Sequence, residues 1–461
     1  MASLNKQQKR VLMATSLSYV IVILDTSIVN VALPPIAADL GTGLSGLQWV
    51  VNAYTLAFAS LLLSGGMLGD RLGGRQVYLA GLAIFACASA LCGLAGALPV
   101  LVTARILQGV GAALLVPSSL TLINAAFPEA KQRAGAIGVW AGCGGVAMAA
   151  GPLAGGVLIQ LLGWRSLFWI NIPVIALGIG LTLRIAAVRP PLSLRQMDYA
   201  GQGTVIVALA TSVALLIEGA RLGWHSGWVL GGIAVAALNW LMFVAIERRS
   251  RQPMLPPALF RSVVFSASAW VSLVSALVFY GAFFLLNLYF QEVRGWSPLQ
   301  SGLAFLPLTI MVTLGSFLCG HLVQALGAGR VVYCSLLLYA LGFGGLLALA
   351  ESPPYWRIAL CFPLLGLAAG IITPAATTAL LNEVASERAG VAAGVLNAGR
   401  QSGSAFGVAI FGALMTAFHP LEKGIQFAVC GAIGLSLLTA VLWGLAIRFA
   451  ACAGGRQPTG R

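Results

Sequence analysis

The chain has 461 residues, of which 59% are hydrophobic and only 8% charged, with a formal net charge of +14. Ordinary soluble domains carry about 25% charged residues, so this composition excludes a soluble globular protein and indicates one that crosses a membrane many times. The positive charge does not point to nucleic acid, because the basic residues stand singly between apolar runs and form no stripe.

Apolar segments long enough to cross a hydrocarbon core of about 30 Å fall near 12–33, 48–69, 78–96, 99–124, 135–161, 167–188, 199–218, 227–246, 263–290, 301–320, 331–350, 357–381, 391–416 and 426–448. They predict fourteen spans with both ends of the chain on one side. The first follows Lys6, Lys9 and Arg10 and imitates a signal peptide, but it is long and ends in Leu33-Pro34-Pro35 without a convincing cleavage site. We expect it to remain as span 1. It holds Asp25 well inside, where a charge costs about 2.5–3.5 kcal/mol on insertion scales unless it is paired or hydrated. Asp25 is therefore a candidate proton or cation site.

Span 2 ends in Gly66-Met67-Leu68-Gly69-Asp70-Arg71-Leu72-Gly73-Gly74-Arg75, and span 10 ends in a degenerate copy from Gly320 to Arg330. Gly, Leu, Leu and Gly recur at matching offsets, while Asp70 is replaced by Gln324. Two parallel six-span halves would set such copies six spans apart, but here they are eight apart. Spans 7 and 8 are then an insertion, entered through Arg189 to Arg195 and left through Arg248 to Arg261, both basic and containing proline. The resulting division is a short N-terminus (1–11), a first half (12–188), a linker with two extra spans (189–261), a second half (262–448) and a tail (449–461).

Loops that stay in the cytoplasm are enriched in Lys and Arg. With the N-terminus inside, only Arg165, Arg221, Arg294, Arg357 and Lys423 of the 26 basic residues fall outside, and Arg105 and Arg400 lie within spans. Both termini are therefore expected in the cytoplasm. The eight cysteines lie mostly in apolar segments without metal or disulfide spacing and read as small packing residues. His225, His321 and His419 sit at separate span ends. This provides no metal or nucleophile constellation and argues against an enzyme.

Several of these residues also carry a resemblance. Gly66 to Arg75 resembles the signature loop G-x-L-x-D-R-x-G-x-[RK] of the major facilitator superfamily. Arg105-Ile106-Leu107-Gln108-Gly109-Val110-Gly111 is similar to its R-x-x-Q-G-x-G proton-coupling motif. Gly138 with Gly151-Pro152-Leu153-Ala154-Gly155-Gly156 is similar to its antiporter motif, except that Ala147 replaces one expected glycine. The segment from Leu24 to Pro34 resembles the span 1 motif of the fourteen-span drug:proton antiporters. The resemblance covers nearly the whole chain. It implies an all-α integral membrane protein of the major facilitator fold, with two six-helix halves plus two inserted helices. It further implies a bacterial inner-membrane antiporter that exports amphipathic drugs or other small organic compounds in exchange for protons, with no cofactor. The alternatives are a dedicated exporter of one metabolite or self-made antibiotic, and a non-transporting receptor or scaffold. A monomer is expected, with periplasmic adaptor proteins as an optional addition and no nucleic-acid partner.

Counted from the outer ends of their spans, Asp25 lies about nine residues deep and Arg105 about six, a difference of roughly 5 Å at 1.5 Å per residue. An arginine side chain can bridge that. Burial favours the neutral acid and a nearby guanidinium favours the carboxylate, so moving Arg105 relative to Asp25 would change proton affinity. Gln108, one turn below Arg105, can join the same network. Asp70, Arg71 and Arg75, with the turn glycines Gly66 and Gly73, form a candidate inner-mouth latch in which Asp70 can meet a helix N-terminus. In span 5 the glycines allow close helix approach and Pro152 bends the chain. Polar and aromatic residues within spans supply candidate substrate contacts: Asn30, Trp49, Asn52 and Tyr54, then Tyr280, Phe284, Asn287 and Gln291. Asn397, Arg400 and Gln401 form a second polar cluster in span 13. With Asp25 the one clearly buried acid, monovalent or neutral compounds are favoured over dications.

Overall fold

A computed structural model describes residues 4–186, 198–250, 252–351, 353–384, 389–418 and 421–454. The linker stretch Arg189 to Arg195, His419 and the end of the tail lie outside the described residues. The elements are α1 (Lys6–Val31), α2 (Leu33–Leu40), α3 (Leu44–Leu72), α4 (Gly74–Leu94), α5 (Leu98–Ala126), α6 (Ala130–Leu162), α7 (Ser166–Trp169), α8 (Asn171–Leu183), α9 (Tyr199–Leu222), α10 (Gly227–Arg249), α11 (Val263–Leu288), α12 (Pro298–Ala304), α13 (Leu306–Leu326), α14 (Ala328–Gly345), α15 (Tyr355–Leu381), α16 (Ala389–Ala417) and α17 (Leu421–Gly454). A π-helical turn, Tyr289–Val293, extends α11. No strand occurs among the described residues. That follows from the solvent, since a helix satisfies its own backbone in hydrocarbon and an open sheet edge does not.

Thirteen helical segments among the described residues are long and apolar enough to cross a membrane. Span 13 of the sequence reading is α16, 29 residues long, in which Asn397, Arg400 and Gln401 dilute the apolar run. Large apolar side chains such as Leu161, Trp228, Leu241 and Phe317 are exposed on the outside of these helices. In water such a surface would aggregate; here it is the lipid-facing surface.

The described residues group into two compact units. One comprises residues 1–243 with 283–306, and the other residues 244–282 with 307–461. In the first unit α3 and α5 pack backbone to backbone: a Cβ added at Gly65 would overlap the Ala113 carbonyl, and one at Gly109 would overlap the Tyr54 carbonyl. Where lipid is as apolar as leucine, such small-residue contacts let helices bind through close packing. Gly65→Ala should therefore lower the stability of the detergent-purified protein by about 1–3 kcal/mol. Gly142→Ala, where the added methyl meets nothing within 4 Å, should not. Thermal unfolding followed by thiol-reactive fluorescence at the native cysteines would compare the two.

The second unit uses the same device between α11 and α16, with Gly403 and Gly407 set against the carbonyls of Leu273 and Leu277. The degenerate repeat has a structural counterpart. Gly73 and Gly327 end α3 and α13 with φ of 95° and 81°, in the left-handed range that disfavours a side chain. Their N–H groups close on Gly69 O at 3.0 Å and Val323 O at 2.9 Å. The repeat kept the turn residue while losing the acid.

Candidate proton-coupling site

Asp25 on α1, Arg105 and Gln108 on α5 meet in the first unit, and all three are closed off, at 2%, 1% and 0% exposure. An ion pair joins Arg105 Nη1 to Asp25 Oδ2. The same Nη1 donates to Gln108 Oε1 at 2.8 Å, and Arg105 Nε donates to the Val50 carbonyl at 3.1 Å. Gln108 Nε2 donates to Asp25 Oδ1 at 3.4 Å and to Ser89 Oγ at 2.9 Å. The guanidinium lies 4.4 Å above the Tyr54 ring and 6.0 Å from that of Phe168. Five helices thus hold one charge pair: α1 and α5 supply the charges, α3 a carbonyl and a ring, α4 a hydroxyl, and α7 a second ring. Removing two ions from water costs several kcal/mol each, and only dense hydrogen bonding of this kind offsets it.

Sequence reasoning missed part of this network. Ser89 also accepts from Asn171 Nδ2 of α8 at 3.3 Å, and Cys92, read as a packing residue, donates from Sγ to Gln108 Oε1 at 3.3 Å. The available signal was weak: small polar residues inside otherwise apolar spans 3 and 6.

The span 1 motif has a second use. Pro34 and Pro35 have no N–H to return to the carbonyls of Asn30 and Val31 four residues earlier. Asn287 Nδ2 donates to Asn30 O, and Gln291 Nε2 donates to Val31 O at 3.0 Å. These two amides, joined to each other at 3.0 Å, take the place of the missing backbone donors at the end of α1. Asn30 turns its own amide back to Thr26 O at 2.8 Å.

Other candidate substrate residues are engaged in packing. Tyr54, at 0% exposure, lies beneath Arg105 with its hydroxyl 3.4 Å from Val22 O. Phe284 is also fully buried. Trp49 donates to Glu218 Oε1 at 3.0 Å, so it faces α9. Glu218 holds both this bond and an ion pair with Arg221 at 2.7 Å. Gln202 at the other end of α9 donates to Ser60 O at 2.7 Å and accepts from Ser64. Helix α9 is thereby fastened to α3 at both ends. Asn52 is buried with its Nδ2 unpartnered among the described residues. Tyr280 packs edge to face on Phe279 at 5.3 Å. Asn397 accepts from Arg400 Nη2 at 2.7 Å, and Gln401 lies beside them, 6% exposed.

At the signature loop, Arg75 Nε and Nη2 donate to the carbonyls of Thr182 and Leu183 at 3.1 and 2.9 Å. They cap the C-terminus of α8, where free carbonyls and the helix dipole both favour a cation. Asp70 and Arg71 are exposed at the end of α3. Gly66 lies against Pro117, with 3.6 Å left for a Cβ. In the antiporter motif, a Cβ at Gly151 would strike Ser27, one at Gly155 would strike Ile28, and one at Gly156 would strike the Pro298–Leu299 backbone. Pro152 sits inside α6, and its carbonyl occupies the space a side chain on Gly302 would need. Gly138 differs from the expectation: a Cβ there meets nothing within 4 Å, so it serves no close approach.

On α2, Asp39 accepts from Arg165 Nη1 at 2.8 Å and from the Trp164 indole at 3.1 Å. Those two bonds hold its carboxyl below the ordinary carboxylate range against a smaller opposing effect of burial. A lowered value keeps the ion pair formed above it, so this clamp is lost only when pH falls below the usual carboxylate range.

The family model of the Major Facilitator Superfamily matches residues 15–408 and 308–451. The chain belongs to this superfamily. The facilitator is 36% identical over 425 residues to the methylenomycin A resistance protein of Streptomyces coelicolor, covering 92% of this chain and 89% of that one. It is 37% identical to the multidrug resistance protein Stp of Mycobacterium tuberculosis, over 92% and 80% of the two chains. It is also 37% identical to the tetracenomycin C resistance and export protein of Streptomyces glaucescens, over 88% and 75%. Among solved structures it shares the fold of a D-xylose–proton symporter, with a TM-score of 0.69 and 14% identity over 95% and 97% of the chains. A bacterial homologue of the lysosomal transporter Spinster, in an inward-facing state, gives 0.66 at 18% identity, over 96% and 97%. The facilitator is a multi-pass membrane transporter and not an enzyme.

Proposed function

We propose that this protein exports small amphipathic organic compounds across the bacterial inner membrane in exchange for protons, with both termini in the cytoplasm. The observation that carries the reading is the closed Asp25–Arg105–Gln108 network: one acid, buried in a span and held by one guanidinium, can bind and release a proton as that guanidinium moves. The names of the relatives, which describe multidrug resistance, antibiotic resistance and export, support the cargo class. Two of them are named for a single antibiotic, which favours a narrower second reading, export of one compound. The working unit is a monomer energised by the proton gradient without a cofactor, and it can operate with a periplasmic adaptor.

Everted membrane vesicles with an imposed pH gradient and a panel of fluorescent amphipathic dyes test the reading. Dye uptake that a protonophore collapses is the expected result. No gradient-driven uptake beyond that of vesicles lacking the protein would refute it.

The inner-mouth loop has a separate role in this scheme. Asp70 and Arg75 bias one conformation and touch no cargo, so Asp70→Asn should slow transport by about tenfold or more while changing cargo affinity less than about twofold. An equal loss of affinity in detergent would remove the latch role.

A further inference from the structure

Two arginines lie deep within the described spans, in very different settings. Arg105 spends its guanidinium on Asp25, Gln108 and the Val50 carbonyl and lies over an aromatic ring. Arg400 has one partner among the described residues, the Asn397 side-chain oxygen at 2.7 Å. It lies roughly three turns, about 16 Å, in from the start of α16. Every other described acidic residue apart from Asp25 stands in a loop or near a helix end. None of the ion pairs among the described residues involves Arg400.

The packing of α16 sets where this charge points. Gly399, Gly403 and Gly407 face α11, and Ser272 of α11 donates to Leu396 O at 3.1 Å. Ala393, Asn397, Arg400, Ser404 and Val408 form the adjacent stripe at helical spacing. The first three are partly exposed, whereas Ser404 and Val408 are 2% and 1% exposed. The stripe is thus open from the N-terminal end of α16 down to Arg400 and closed by protein beyond it, which a lipid-facing stripe would not be. Beside Arg400, the Asn397 Nδ2 and the Gln401 amide have no partner among the described residues. The cluster offers a positive charge and amide donors, and the Asn397 oxygen is already used by Arg400.

A planar fork of donors with unmet positive charge is complementary to a carboxylate, which it can hold by two parallel charge-assisted bonds. We propose that Arg400, with Asn397 and Gln401, forms a subsite for the anionic group of the cargo, and that amphipathic organic monoanions, carboxylates above all, are the preferred substrates. This rests on the exporter reading and narrows the sequence expectation that monovalent or neutral compounds are favoured over dications. The charges deep inside the described spans support it, since Asp25 is matched by Arg105 and the other described acids, including Glu247, which the structure buries against the sequence expectation of a single buried acid, stand near helix ends.

The test uses a matched pair of probes, 1-pyrenebutyric acid and its methyl ester, with 1-pyrenebutylamine as the cationic counterpart. Binding to the purified protein is read by fluorescence titration, and transport in phosphatidylcholine proteoliposomes under a pH gradient. Wild type should bind the acid at least tenfold more tightly than the ester or the amine. Arg400→Gln should bring the acid-to-ester ratio to within about twofold of unity, Arg400→Lys should keep part of the preference, and Asn397→Ala should reduce it less than Arg400→Gln. Monodispersity on size exclusion checks the fold of each variant, and the lysine variant alone suffices if the glutamine variant is not recovered. Equal binding of acid and ester by wild type, or preference for the amine, would overturn the proposal. So would loss of the acid preference on adding phosphatidylglycerol, which would assign the subsite to a lipid headgroup. Gradient-driven movement of ester or amine but not acid would overturn it while leaving the exporter reading intact. Acid bound selectively but no probe moved would uphold the subsite and refute export.

Discussion

Arg105→Ala should leave a protein that still inserts but has lost about 3–5 kcal/mol of stability and all coupled transport. That range is the cost of removing one partner from a buried ion pair, because the remaining charge stays in a low-dielectric site without compensation. Here the loss is compounded. The Val50 carbonyl loses its Nε donor, Gln108 Oε1 loses the guanidinium, and the Tyr54 ring loses the cation above it. The cheapest relief is for Asp25 to hold a proton permanently, which fixes the carrier in one protonation state. Arg105→Lys should recover part of the stability and little of the coupling, since an ammonium cannot reach Asp25 and the Val50 carbonyl together as the fork does. Thermal unfolding in detergent and pH-driven uptake in proteoliposomes would check both variants. An Arg105→Ala protein as stable as wild type would mean the pair is not the buried, fully engaged unit described above.

The acid, the arginine and the glutamine were legible in the chain because charge inside an apolar span is rare, and counting residues from the span ends already set Asp25 and Arg105 at compatible depths. The turn glycine at 73 and its counterpart at 327 were legible through the repeat. Ser89, Asn171 and Cys92 were not, for a physical reason. In a soluble helix the polar face shows which side is buried, but in a bilayer lipid and core are equally apolar and the pattern carries no direction. Nothing in the sequence says that Ser89 turns toward Gln108 while Trp49 turns toward α9. The same blindness placed Tyr54 and Phe284 among substrate contacts, although packing closes both. The role of Asn287 and Gln291 depends on two prolines more than 250 residues earlier, a pairing that only the tertiary fold makes visible.

The largest functional effect should come from Asp25→Asn, which is expected to abolish accumulation of cargo against a gradient while leaving downhill exchange at a measurable rate. Asparagine keeps the shape of the side chain and can still accept from Arg105 through its oxygen. Its amide cannot take up or release a proton. The ion pair becomes a hydrogen bond from a still cationic guanidinium to a neutral oxygen, and the guanidinium keeps Gln108, the Val50 carbonyl and the Tyr54 ring as partners. Because those contacts remain, Asp25→Asn should unfold at a temperature much closer to wild type than Arg105→Ala does. This separation of stability from coupling is what distinguishes a proton carrier from a structural ion pair: a structural pair would lose both together. In proteoliposomes loaded with cargo, the variant should show counterflow that no longer responds to an imposed pH difference, and cargo movement should release no protons. If Asp25→Asn exports cargo uphill at the wild-type rate, another group carries the proton. The network around Arg105 would then be a helix clamp, and the proton route would have to run through residues outside it.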